Sequence, residues 1–62
     1  MIKCYRLKRN LTQEELAEII GRDVRTIQRI ENGEKEPTMK IFKMLVKILN
    51  IEDKDIINYI KK

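Results

Sequence analysis

Val24, Arg25, Gln28 and Arg29 carry the side chains best suited to reading the edges of bases in DNA. An arginine donates bidentately to guanine O6 and N7, a glutamine pairs the same way with adenine N6 and N7, and a valine touches a thymine methyl. At these positions all four share one face of a helix. An ordinary solvated helix face has a similar composition, so these residues alone leave both readings open. The element that carries them separates the two.

That element is a pair of short helices spanning residues 13–32. Thr12 is placed to accept the backbone N–H of Glu15, and Glu15 to reach back to Thr12, a capping box that starts the first helix. Leu16, Ala17, Ile19 and Ile20 follow at helical spacing, and Gly21 ends the run, since positive φ is cheap for glycine. Asp23 caps the next helix, whose inner side is Ile27 and Ile30, and Asn32-Gly33 stops it. Two helices joined by about three or four residues with a glycine between them must cross steeply. Such a crossing needs a small residue, and Ala17 lies one turn before Gly21. Leu16, Ile20, Ile27 and Ile30 fill the wedge, leaving the face of Val24, Arg25, Gln28 and Arg29 for solvent or DNA. The tight pair favours DNA.

Three further helices complete an all-α fold. The first covers about residues 2–9, with Ile2, Tyr5 and Arg9 on one strip and Cys4 and Leu7 beside it. Thr38 caps a helix over residues 39–49, whose core stripe is Ile41/Phe42, Leu45 and Ile48/Leu49, and Asn50 breaks it. Asp53 caps a last helix over residues 54–60. No strand signal competes.

Composition narrows the function classes. The 62 residues make one small domain, and a chain of this length buries only about 60% of its unfolded surface. One cysteine rules out an internal disulfide, and the absence of histidine removes the usual zinc sets, so no metal or cofactor is expected. Cys4 fits a reducing cytoplasm and reads as a small buried residue near the first helix. Fourteen Lys+Arg against ten Asp+Glu give +4, a mild bias towards a polyanionic partner. The first ten residues lack the apolar run of a secretory leader. The apolar stretch over residues 41–51 is interrupted by Lys43, Lys47 and Asn50, too short and too charged to span a membrane. Lys61 and Lys62 after the last helix give only a faint amphipathic signal. Without a histidine, a base for Cys4 or a recognisable carboxylate pair, no enzyme is expected.

The string from Leu11 to Thr38, LTQEELAEIIGRDVRTIQRIENGEKEPT, resembles the DNA-binding domain of the lambdoid phage repressor and Cro family, the XRE or HTH-3 type. It has that family's Leu-Thr-Gln-x-x-Leu-Ala, then Gly, Ile-x-x-Ile-Glu-x-Gly and Pro, and the resemblance extends over residues 1–51. It implies a five-helix, lambda-repressor-like domain with the helix-turn-helix at helices 2 and 3. Val24, Arg25, Gln28 and Arg29 match the base-reading positions. Gln13, beside Thr12 at a helix N-terminus, would bind phosphate on one flank, and Asn32 with the backbone near Lys35 and Thr38 on the other. Arg6 and Glu31 match a structural ion pair, with phosphate binding an alternative or additional role for Arg6. A glutamate at a helix C-terminus opposes the dipole, which calls for such a cation. Three departures stand out. Arg22 replaces an apolar turn plug and extends towards phosphate, Asp23 replaces a Ser or Thr cap, and Glu34 with Glu36 makes the following loop acidic, which bears on the second phosphate clamp.

The tail is rich in apolar groups: Ile56, Ile57, Tyr59 and Ile60. Either they close the core, with Ile56, Ile60 and Ile57 packing inward and Tyr59 left on another face, or they form a homodimer surface. The resemblance favours a dimer on pseudo-palindromic double-stranded DNA, with recognition helices about 34–36 Å apart. It implies a minimal Cro-type repressor, cytoplasmic and nucleoid-associated, with no small-molecule ligand. An antitoxin or protein-interaction module of the same fold is the alternative.

Overall fold

The computed structural model describes residues 1–61; Lys62 lies outside them. Among the described residues there are five helices and no strand: α1 (Ile2–Lys8), α2 (Gln13–Ile20), α3 (Val24–Glu31), α4 (Met39–Leu49) and α5 (Asp53–Ile60). None is long and apolar enough to cross a membrane.

Local chemistry sets most of the boundaries. The Thr12 hydroxyl accepts the N–H of Glu15 at 3.0 Å, and the Glu15 carboxylate accepts that of Thr12 at 2.8 Å. Asp23 accepts the N–H of Arg25, and Thr38 that of Ile41. Gly21 closes α2 with φ +70°. A Cβ there would meet nothing within 4 Å, so the dihedral and not the space demands glycine. Asn50 ends α4 in the same left-handed region at φ 53°, which asparagine tolerates better than most residues.

The core gathers where four helices meet. Leu16, Ile27, Leu45 and Leu49 are almost wholly withdrawn from water. Ile2, Tyr5, Ala17, Ile20, Ile41 and Ile51 surround them. Each fully buried leucine or isoleucine contributes about 1.5–3 kcal/mol relative to exposure. The contact between α2 and α3 is the most extensive of any helix pair, with α1 and α4 packed around it.

Four expectations need correction. Helix α1 stops at Lys8, and its buried strip is Ile2, Tyr5 and Arg6 rather than Ile2, Tyr5 and Arg9. The helix is rotated so that Arg6 reaches α3, which leaves Cys4 exposed rather than buried. Helix α5 begins at Asp53, with Glu52 in the cap position and no side-chain cap. Its N-terminus is held from outside: the Tyr5 hydroxyl accepts the Glu52 N–H at 3.2 Å and donates to the Asp55 carboxylate. At the other end Tyr59 packs inward while Ile60 points out. The Tyr59 ring stacks on Phe42 at 4.8 Å between centroids, and its hydroxyl donates to Glu36. Ile56 packs on the core, whereas Ile57 and Ile60 are 50% and 65% exposed.

Both tyrosines therefore dock α5 through carboxylates, and both resist ionisation. The Asp55 hydrogen bond raises the Tyr5 hydroxyl above its usual value. Burial, then the Glu36 hydrogen bond and charge, push Tyr59 up to about 12. A raised pKa stabilises the neutral, docked form below the ordinary value of 10, and that contribution is lost as pH rises through about 12 for Tyr59. Absorbance titration at the phenolate band should thus show no complete tyrosine step near pH 10. A full two-tyrosine step there would mean that α5 is not docked in this way.

Candidate nucleic-acid interface

The α2–α3 unit is locked by its turn. The N–H of Arg22 returns to the Ala17 carbonyl at 2.9 Å and that of Gly21 to Glu18 at 3.2 Å, so the chain reverses within one residue in the left-handed region. Asp23 immediately caps α3. Ala17, only 3% exposed, sits where the helices approach, with Leu16, Ile20 and Ile27 closing the wedge. Helix α3 is thereby divided along its length. Ile27 is buried and Ile30 half-buried, while Arg25, Gln28 and Arg29 are exposed. Val24 belongs partly to the inner side: it is half-buried and packs against the core cluster. The Nε of Arg25 lies 4.0 Å from Asp23, an exposed pair that adds little stability and leaves the guanidinium free to turn elsewhere.

The C-terminus of α3 is fixed by an ion pair with little access to water. Arg6 donates from Nε to Glu31 Oε2 at 2.7 Å and from Nη2 to Oε1 at 3.1 Å. Its Nη1 donates to the Leu11 carbonyl at 2.8 Å. The two side chains are 8% and 2% exposed. Gln13 completes the group by donating its amide to Glu31 Oε1 at 3.0 Å. One carboxylate thus ties together α1, the first residue of α2 and the last of α3. It also offsets the unfavourable position of a glutamate at a helix C-terminus, because Arg6 supplies the compensating charge.

The remaining phosphate candidates fall into two groups. Thr12, Gln13 and the first turn of α2 form one flank, with Arg22 exposed in the turn. Gln13 spends one amide hydrogen on Glu31 and keeps a second, together with its carbonyl. On the other flank, Asn32 donates to Glu34 at 3.3 Å. The backbone near Lys35 is less available than its sequence position suggests: the N–H groups of Glu34 and Lys35 both return to the Arg29 carbonyl, at 2.9 and 3.3 Å. They close α3 instead of facing outward. The N–H groups still open on this flank are those of Met39 and Lys40 in the first turn of α4, since that of Ile41 is taken by Thr38. Lys40 lies in that turn and was passed over in the sequence. A lysine in a first turn containing no acid works against the helix dipole, which was the available signal. Glu36, Phe42 and Asp55 also acquire roles that no local motif announces. Among the described residues no group of three His, Cys, Asp or Glu side chains could hold a metal.

Burial alone would raise the Glu31 pKa. The hydrogen bonds from Arg6 and Gln13 and the charges of Arg6 and Lys3 outweigh it, so the carboxyl ionises below its usual 4.5. A depressed carboxylate stabilises the fold above that value and loses its contribution as pH falls through the folded pKa. Arg6→Ala should cost about 3–5 kcal/mol by leaving Glu31 buried and unpaired. Glu31→Gln should flatten the acid limb of the stability curve. Urea unfolding between pH 3 and 7 measures both effects, and an acid limb unchanged in Glu31→Gln would assign it to other carboxylates.

Comparison with known proteins follows the same lines. The family model described as Helix-turn-helix, of the HTH_3 type, matches residues 2–56. The chain is 38% identical over 58 residues to an uncharacterised HTH-type transcriptional regulator of Methanocaldococcus jannaschii, covering 94% of this chain and 88% of the relative. It is also 38% identical over 55 residues to another uncharacterised HTH-type transcriptional regulator, from Archaeoglobus fulgidus, covering 89% and 78%. No solved structure gives a significant match. On these matches the chain belongs to the XRE-type helix-turn-helix family.

Proposed function

We propose that this protein is a DNA-binding transcriptional regulator that lays α3 in the major groove and recognises a specific operator. The observation that carries the reading is the division of α3, with Ile27 sunk against α2 while Arg25, Gln28 and Arg29 stand exposed on the opposite side. The relatives named as HTH-type transcriptional regulators support it.

In this reading Arg25, Gln28 and Arg29 contact base edges, and the exposed part of Val24 meets a thymine methyl. Thr12, Gln13 and Arg22 hold phosphates on one flank of the groove. Asn32, Lys35 and Thr38, with the first turn of α4, hold them on the other. The protein acts as a homodimer. One copy carries a single recognition helix, α3, so two such helices about one DNA turn apart, roughly 34 Å, require a second copy. Ile57 and Ile60 offer the apolar surface for the second copy. Covering an operator that overlaps a promoter blocks polymerase, which makes the protein a small cytoplasmic repressor needing no ligand or cofactor.

The same exposed isoleucines favour one other reading, an antitoxin or partner-binding module of this fold. A purified protein that stays monomeric on DNA and off it would support that alternative.

Site selection from a random duplex pool should enrich one pseudo-palindromic sequence at moderate salt, and failure to enrich any would refute operator recognition. Against the selected site, Arg25→Ala should cost about 1–3 kcal/mol and relax the preference at one base pair. Gln13→Ala should weaken selected and random DNA alike. Equal losses on both duplexes for Arg25→Ala would remove it from base reading.

A further inference from the structure

We propose that Tyr59, on the last helix, is a positioning residue for DNA binding: stacked on Phe42 of α4, it grips Glu36 and fixes the loop that leads from α3 to α4. The inference rests on the DNA-binding reading above.

This loop connects the end of the recognition helix to the first turn of α4, so its path sets where Lys35, Thr38 and Lys40 lie relative to α3. Its beginning is anchored, because the N–H groups of Asn32, Gly33, Glu34 and Lys35 all return to carbonyls of α3. Its end is anchored by the Thr38 cap. Between these anchors lie Glu36 and Pro37, and proline has no N–H to give. Among the described residues, the one hydrogen bond that this middle section makes to another element is the one from the Tyr59 hydroxyl to Glu36. Packing replaces it only in part, since Pro37 is half-buried. A recess of about 230 Å³, lined by Ile2, Ile30, Pro37 and Tyr59 among others, opens behind the loop. Without the bond the loop has room to shift.

The stack explains how a surface tyrosine holds a loop. The Tyr59 and Phe42 rings are 4.8 Å apart and inclined by 14°. Phe42 is itself buried, on the second turn of the helix that the loop enters. Tyr59 therefore joins the middle of the loop to the helix at its end. It also occupies the carboxylate of Glu36, a negative charge on a segment expected to approach phosphates. A captured carboxylate has one orientation, whereas a free one samples positions that repel DNA.

The test compares wild type, Tyr59→Phe, Glu36→Ala, Glu36→Gln and the double variant Tyr59→Phe/Glu36→Ala. Affinity is read by fluorescence anisotropy on the selected operator and on a random duplex. Circular dichroism shows that each variant is folded at the assay temperature. Tyr59→Phe keeps the ring stack and loses only the hydroxyl. It should weaken both duplexes by about three- to tenfold and speed amide exchange at residues 33–36. In the Glu36→Ala background the same change should do nothing. Should Tyr59→Phe fail to fold, the comparison of Glu36→Ala with Glu36→Gln replaces it. Both remove the charge, but only glutamine retains an acceptor, so alanine should bind more weakly by the same factor. Undiminished affinity in Tyr59→Phe, or an equal loss in the Glu36→Ala background, would overturn the proposal while leaving the DNA-binding reading intact. A wild type that binds neither duplex would overturn both.

Discussion

The guanidinium of Arg6 and the carboxylate of Glu31 meet with almost no water around them, and charges in such a position are costly to place. An ion pair of this kind adds little net stability compared with a well-packed apolar substitute. Its contribution is geometric. The paired N–H···O bonds fix two planes against each other, the third guanidinium donor reaches the Leu11 carbonyl, and Gln13 completes the set. The end of α3 and the start of α2 are thereby held in one arrangement. In the proposed reading, both lie beside residues that contact the duplex.

The same chemistry recurs more loosely at α5. No residue of that helix is fully buried, and it lacks a side-chain cap of its own. Tyr5 serves one end and Tyr59 the other, each by giving its hydroxyl proton to a carboxylate. Three joins, α1 with α3, α1 with α5, and α5 with the loop before α4, are thus each made by an aromatic or guanidinium donor on a carboxylate. This accounts for several acids that look out of place in a basic chain. Glu31, Glu36 and Asp55 are all held by donors from distant segments.

The parts of this arrangement that were legible in the sequence are those decided within a few residues. Thr12 with Glu15, Gly21, Asp23, Thr38 and Asn50 each state a boundary by local hydrogen bonding or a permitted dihedral, and the structure has all of them in that role. The division of α3 followed from spacing except at Val24, which is expected outward but is half-buried against the core. The errors come from rotation about an axis and from partners far away in the chain. Periodicity admits either strip of α1, and only the pull of Glu31 on Arg6 selects the one that leaves Cys4 outside. Tyr59 resembled a surface residue because its partners, Phe42 and Glu36, lie well back in the sequence. The outward turn of Ile60 follows from the inward turn of Tyr59. The backbone near Lys35, expected to face phosphate, is partly drawn back onto α3, because the N–H groups of Glu34 and Lys35 both return to the Arg29 carbonyl.

The close pairing of α2 with α3 also bears on how fast the protein forms. These helices are consecutive and joined by a single tight turn, and contacts between residues distant in sequence are a small minority of the whole. Chains wired this way fold early and quickly, on the order of microseconds to milliseconds, because little loop entropy is lost before contacts reward it. The tie between Arg6 and Glu31 spans 25 residues and closes over a pair that can already be in place. It therefore acts on the rate of escape more than on the rate of arrival.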